Sequence, residues 1–356
     1  MKIRLFIVCL AMLMLSASSP ELSTEFFAAD NPYIRYTGRI DFRNPKAPRF
    51  WAAGVYIEAR FRGTYCEIEV RDETLWGTSH NYLEVSIDGG DPHRIKTTGK
   101  LNRIMVADNL KEGDHNIVIM KGTEALIGYL EFMGLRCGQL LPVTSNRSRK
   151  IEFFGDSITS GMGNFTKDVP CDSGVWYDQH SAWYSYASIT ARALNADYHL
   201  TSESGIGLIH SCCDKPILMP QVYDNVSISK DSLAWDFKKF QPDVVAICLG
   251  QNDGVQDSVR FTGEYVKFLH SLRGHYPTAK LVCLTSPMAD DRLRAVLGRY
   301  LQGIVTYCHA AGEKNLSMYS FSRQYKNGCG AHPDMEDDTL IAAELTAWLR
   351  SEMKWR

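Results

Sequence analysis

The sequence predicts two domains in series: an all-β sandwich, then an α/β domain built on a parallel sheet. The first prediction rests on short runs between about residues 30 and 140, where apolar and polar side chains alternate with a period of two. The second rests on the chain beyond residue 150, where apolar strand-like runs take turns with stretches carrying apolar residues at helical spacing. That alternation specifies a parallel sheet wrapped by helices. Between the two lies a polar segment, 142–150, headed by Pro142 and without period. It sets the boundary, giving a β-domain over 20–142 and an α/β domain over 143–356.

The size and charge fit this plan. A chain of 356 residues that is 45% apolar can build two cores. A net charge of −2 gives no electrostatic case for a nucleic-acid partner or an anionic membrane surface. At the start, Lys2 and Arg4 precede an apolar run over 5–15, and small residues follow to Ser19. This reads as a secretory signal peptide over 1–19, with a core too short to span a bilayer, so no membrane association is expected after cleavage.

In the β-domain, runs 55–62, 66–70 and 82–88 alternate strongly, and Asp88, Gly89 and Gly90 supply a hairpin signal. Runs 116–120 and 127–132 continue the pattern. In the α/β domain, 151–154, 197–201, 244–249, 280–285 and 316–321 read as strands, and 183–194, 265–272 and 339–349 as helices. Ten cysteines less Cys9 leave nine. Cys66, Cys248 and Cys283 lie in strand-like runs and read as small buried thiols, whereas Cys171, Cys212, Cys213 and Cys329 lie in loops and are free to form a disulfide after export. Their spacing matches no zinc motif, and no pairing follows from it.

Chemistry concentrates where the first α/β strand breaks, at Gly155, Asp156 and Ser157. A serine there sits at the C-terminal edge of a parallel sheet, where open α/β folds place their ligands. Its N–H opens a helix, a site suited to anions. Taken alone, these three residues do no more than cap a helix. Three further blocks follow in order: Ser204, Gly205 and Gly207 after one strand; Gly250, Asn252 and Asp253 after another; and Gly328, Cys329, His332 and Pro333 before the last helix.

With these blocks in this order the chain resembles the SGNH (GDSL-like) hydrolases. Within them it resembles carbohydrate esterase family 2, through 155–159, Ser204 to Gly207, Gly328 to Pro333, and the β-domain segment 112–124 that closes on Lys121, Gly122, Thr123 and Glu124. The resemblance covers nearly the whole chain after the signal segment. It implies a jelly-roll for the β-domain and a flavodoxin-like parallel sheet for the second. It also implies a secreted serine esterase that deacetylates plant polysaccharides or their oligomers, as acetylxylan esterases do, through an acetyl-enzyme and without metal or organic cofactor.

The residues can be given roles in that chemistry. A serine hydroxyl needs a neighbouring base, and of ten histidines only His332 stands in a loop that converges on Ser157. His180 and His210 are candidates for substrate contact. The oxyanion needs fixed donors, which the Ser157 amide, Gly205 or Gly207, and the Asn252 side chain can supply. Where the family often has an aspartate two residues before the histidine, this chain has Gly330. That favours a Ser–His dyad whose histidine is oriented by a backbone carbonyl near Cys329 to Ala331; Asp334 or Asp337 is the alternative orienting acid, although Asp334 reads as a helix-start residue. Trp176 and Trp183 are candidate sugar-binding residues in an aromatic cluster that can equally be core, and Trp51 and Trp76 in the β-domain carry the same two readings. The sequence leaves two rival functions open. One is an SGNH lipase or thioesterase acting on longer acyl esters; the other is a non-catalytic carbohydrate-binding protein.

Overall fold

The computed structural model describes residues 24–145, 147–228 and 233–356; the expected signal segment, 1–19, lies outside the described residues. The first domain is an antiparallel sheet folded round its own core. Its strands are β1 (Glu25–Ala28), β2 (Arg35–Thr37), β3 (Arg49–Phe50), β4 (Tyr56–Asp72), β5 (Tyr82–Ile87), β6 (His93–Lys96), β7 (Leu101–Ala107), β8 (Asp114–Lys121) and β9 (Leu130–Leu141). The two alternating runs 55–62 and 66–70 prove to be one strand, β4, of 17 residues. Its first half pairs with β8 and its second with β7, and its pairing with β9 shifts register between Arg62 and Cys66. Gly63, at φ 123°, lies in that irregularity, and β4 changes its pairing from β8 before it to β7 beyond it. Phe61, Ile68, Val85, Ile117, Phe132 and Leu135 point inward and are fully buried.

The second domain has five parallel strands: β10 (Arg149–Gly155), β11 (Ala196–Ser202), β12 (Val244–Ile247), β13 (Lys280–Leu284) and β14 (Leu316–Tyr319). They lie in the order β11-β10-β12-β13-β14. Helices α1 (Ser157–Ser160), α2 (Tyr186–Ala193), α3 (Met219–Val222), α4 (Ser258–His275), α5 (Asp291–Ala310) and α6 (Met335–Met353) connect and cover them. Successive residues of β10 face opposite ways: Phe154 enters the core with α4 and α5, and Phe153 the core with α2 and α6. The helix expected from residue 183 starts later, because Ser185 is extended (ψ 140°) and caps α2 by accepting the Ala187 N–H. No helix among the described residues is long and apolar enough to cross a membrane.

Because β10 has β11 on one side and β12 on the other, the loops after these three neighbouring strands open together. They carry Ser157, the Ser204–Gly207 turn and Asn252. His332 follows β14 at the far edge of the sheet, and a long loop must bring it back. Tyr325 N donates to Pro287 O at 2.9 Å, Gln324 Nε2 to Met288 O at 2.9 Å, and Asn327 N to Asp337 Oδ2 at 2.8 Å, fixing that return path.

The domains share a charged, buried seam. Arg39 of the β-domain reaches Glu152 on β10 at 2.7 Å, with both side chains almost wholly buried. Arg35 and Arg147 each contact both Glu58 and Asp197, and Tyr56 donates to Asp197 Oδ1 at 2.8 Å. Removing one member of a buried pair such as Arg39–Glu152 costs about 3–5 kcal/mol, because the other charge is left uncompensated.

Candidate active site

Ser157 begins α1, and the turn that presents it requires its neighbours. A Cβ on Gly155 would lie 2.1 Å from Thr159 Oγ1, so only glycine lets the strand pass into the helix so closely. Asp156 caps α1 by accepting the Ile158 N–H at 3.0 Å. His332 Nε2 lies 2.8 Å from Ser157 Oγ, and His332 Nδ1 faces the Gly330 carbonyl at 3.2 Å. The turn carrying the histidine is pinned to the segment after α1: Cys329 N donates to Gly163 O at 2.9 Å, and Gly328 N to His332 O at 2.7 Å. Burial lowers the His332 pKa from 6.5, while the Gly330 and Cys329 carbonyls act the other way. The imidazole is therefore neutral at pH 7 and able to take the serine's proton.

A cavity of about 660 Å³ opens over this pair, and Gly205, Asn252, Trp176 and Leu126 are among the residues that line it. The open choice between the two glycines is narrowed by their hydrogen bonds. Gly207 N donates to Ser211 Oγ at 3.0 Å, and a Cβ there would strike the His210 carbonyl at 1.9 Å, so Gly207 shapes a tight turn off the cavity wall. Gly205 is on the wall at φ 81°, and among the described residues neither its N–H nor that of Ser157 has a hydrogen-bond acceptor. The Asn252 amide nitrogen donates to Ile206 O at 2.9 Å and to Asp156 Oδ2 at 3.1 Å. Both amide protons of Asn252 are thereby engaged, one of them by the Asp156 carboxyl. Burial raises Asp156 to about 7, helped by the nearby Asp253 and Glu124 charges, and a protonated Asp156 holds that proton less firmly.

The aromatic candidates separate. Trp176 is 46% exposed and lines the cavity, whereas Trp183 packs under the Arg192 guanidinium, 4.4 Å from its ring centroid, and is off the cavity wall. Trp51 is buried against Tyr129, while Trp76 is 70% exposed. His180 is fully buried behind Trp176, with ring centroids 4.8 Å apart, and burial drives its pKa down to about 3. His210 is exposed, and its Nδ1 lies 3.2 Å from Asn252 O. Neither histidine is among the cavity-lining residues.

The sequence matches the family model described as carbohydrate esterase 2 N-terminal over residues 36–143, and that of the GDSL-like lipase/acylhydrolase family over residues 153–339. The chain belongs to carbohydrate esterase family 2. It is 31% identical over 336 residues to the cellulase/esterase CelE of Acetivibrio thermocellus, covering 92% of this chain but only 40% of that larger protein. It is 26% identical to an acetylxylan esterase/glucomannan deacetylase of Cellvibrio japonicus, covering 94% of this chain and 92% of the relative. A family 2 carbohydrate esterase from Clostridium thermocellum, solved in complex with cellohexaose, superposes with a TM-score of 0.83 at 29% identity, over 91% of this chain and all of that one.

At the position where the family often carries an aspartate, Gly330 has φ 60° and offers only its carbonyl to His332. The carboxylates nearby in sequence are engaged elsewhere. Asp334 caps α6 by accepting the Asp337 N–H at 2.8 Å, Asp337 accepts from Asn327, and buried Asp338 accepts from Asn164 Nδ2 at 2.9 Å and Tyr186 N at 3.0 Å. The same contacts bury Asn164, which heads the Asn164-Phe165-Thr166 sequon. The loop cysteines pair as Cys171 with Cys329 and Cys212 with Cys213, while Cys66, Cys137, Cys248, Cys283 and Cys308 are free and buried. The sequence reading missed the wall residue Leu126 and the contact of Glu124 with Ser204; Glu124 ends a β-domain segment that carried a family signal but no chemical one, and Leu126 lies two residues beyond it.

Proposed function

We propose that this chain is a secreted serine esterase that removes acetyl groups from acetylated plant polysaccharides or their oligomers. Ser157 attacks the ester carbonyl while His332 Nε2 takes the hydroxyl proton. The tetrahedral oxyanion is held by the Ser157 and Gly205 N–H groups and the Asn252 amide. His332 returns the proton to the departing sugar hydroxyl, leaving acetyl on Ser157, and water activated by the same histidine then releases acetate. The Gly330 carbonyl holds the Nδ1 tautomer, so the pair acts as a dyad.

The observation that carries this reading is the 2.8 Å approach of His332 Nε2 to Ser157 Oγ beside the unpartnered Gly205 N–H. The substrate class is supported by the named activities of the Cellvibrio relative and the bound oligosaccharide of the Clostridium structure. Trp176, half exposed on the cavity rim, gives a sugar ring an aromatic face. Export is supported by the charged, apolar and small-residue pattern of 1–19. The test compares 4-nitrophenyl esters of increasing acyl length with an acetylated xylo-oligosaccharide. Acetate esters and the oligosaccharide are the expected best substrates; preference for long acyl chains with no release of sugar-bound acetate would overturn the reading.

A further inference from the structure

Glu124 belongs to the β-domain, yet its carboxylate is fully buried against the α/β domain, with Oε2 accepting the Ser204 N–H at 2.7 Å. Burying a carboxylate is costly unless it is used, and here burial raises its pKa to about 7. The segment that delivers it is held firmly. The Lys121 ammonium, also fully buried, donates to Thr123 O at 2.7 Å and to Glu124 O at 3.0 Å, and Thr123 Oγ1 donates to Asn81 Oδ1. The other oxygen, Oε1, has no hydrogen-bond partner among the described residues; His180 Nδ1 lies 3.9 Å from it.

What this bond controls is the next peptide unit. The Ser204 N–H is fixed from one side by Glu124, and the Gly205 carbonyl is fixed from the other by the Cys212 N–H at 2.9 Å. The unpartnered Gly205 N–H stands between these two anchors on the cavity wall. An oxyanion donor contributes to catalysis only when its direction is set before reaction, since reorienting a dipole in the transition state costs much of its value.

We infer that Glu124 is a positioning residue for the oxyanion hole: its Oε2, supplied across the domain seam, sets the direction of the Gly205 N–H, so the β-domain takes part in catalysis without touching substrate. The inference rests on the esterase reading above and on Gly205 as donor. Its working feature is an acceptor atom at the right distance, not a negative charge, which near an oxyanion would be unfavourable.

Two conservative variants separate these properties. Glu124→Gln keeps an acceptor oxygen at the same reach and removes the charge; Glu124→Asp keeps the charge and withdraws the acceptor by one methylene. With 4-nitrophenyl acetate, Glu124→Gln is expected to stay within about threefold of wild-type kcat. Glu124→Asp is expected to lose about tenfold or more, towards the roughly hundredfold typical of one missing donor. KM should change by less than about threefold in both, which a general loosening of the fold would not produce. Thermal melts control for folding, and should either variant fail to fold, the same comparison is made on single-turnover acylation of its folded fraction. Equal kcat in the two variants, or the reverse order, overturns the inference. Ser157→Ala is assayed alongside. Retained activity there would sink the esterase reading itself, whereas an inactive Ser157→Ala with unaffected Glu124 variants would sink only the role of Glu124.

Discussion

The histidine in this site is oriented by a backbone oxygen, and that choice has measurable consequences at the residue scale. A carbonyl fixes the Nδ1 tautomer but contributes less than a carboxylate to the imidazolium formed during reaction. Since Asp334, Asp337 and Asp338 are all engaged away from His332, Asp334→Asn, Asp337→Asn and Asp338→Asn should each change kcat by less than roughly tenfold, against about ten-thousandfold for loss of a true triad acid. A collapse of that size in one folded variant would reveal a relocated acid. The pH profile gives a second test. As the proposed base, His332 works in its neutral form, which is present above its pKa and lost as pH falls through it. Its pKa is lowered from 6.5 by burial, so the acid limb of kcat/KM should have its midpoint below 6.5. A midpoint above that value would mean that another group controls the base.

At the scale of elements, the disulfide Cys171–Cys329 links the loop that carries Trp176 to the turn that carries His332, closing a sequence separation of 158 residues. A cross-link over so long a loop stabilises by about 2–5 kcal/mol, largely by restricting the unfolded chain. The double variant Cys171→Ser/Cys329→Ser should therefore melt at a lower temperature and lose kcat as the histidine turn loosens. An unchanged melt and kcat would show that Gly163 and Gly328 hold the turn unaided. The elements also mark what the sequence could and could not disclose. The strand β12 was legible as a continuous apolar run and β10 as a short apolar run that contains Glu152, and the order of Ser157, Asn252 and His332 was legible because the first two stand where such runs break and the third in the loop before Pro333 and the last helix. By contrast β1, β2, β3 and β6 are only 2 to 4 residues long, too short to show a period, and β4 was split in reading because Gly63 and Thr64 interrupt an alternation that the backbone continues across. The pairing of Cys171 with Cys329 depends on the path of the loop after β14, which no local pattern encodes. Trp183 looked like a site residue because aromatic residues cluster there in sequence, but the 3-10 turn before α2 directs it onto Arg192.

At the scale of the molecule, the candidate active site lies at the seam of two domains, and the seam is crowded with buried ionisable groups. Glu84 on β5 accepts a hydrogen bond from Ser181 of the α/β domain at 2.8 Å, is fully buried, and has its pKa raised from 4.5 to about 7 by burial, against the pull of Arg94. A carboxyl whose folded pKa exceeds its unfolded one stabilises fully below the unfolded value, and that contribution is lost as pH rises through the folded value. The window is therefore about pH 4.5 to 7. Glu84→Gln removes this dependence, so its melting temperature should gain on wild type as pH rises across that window. A constant difference between the two proteins would show that Glu84 does not titrate there.

The account stands or falls on Ser157 as the nucleophile for sugar-bound acetate. The most direct measurement is acetate release from an acetylated xylo-oligosaccharide by wild type and by Ser157→Ala, with thermal melts of both. The account predicts steady release by wild type and none above background by the variant, at nearly equal melting temperatures. Acetate release by Ser157→Ala at a rate near wild type would contradict it.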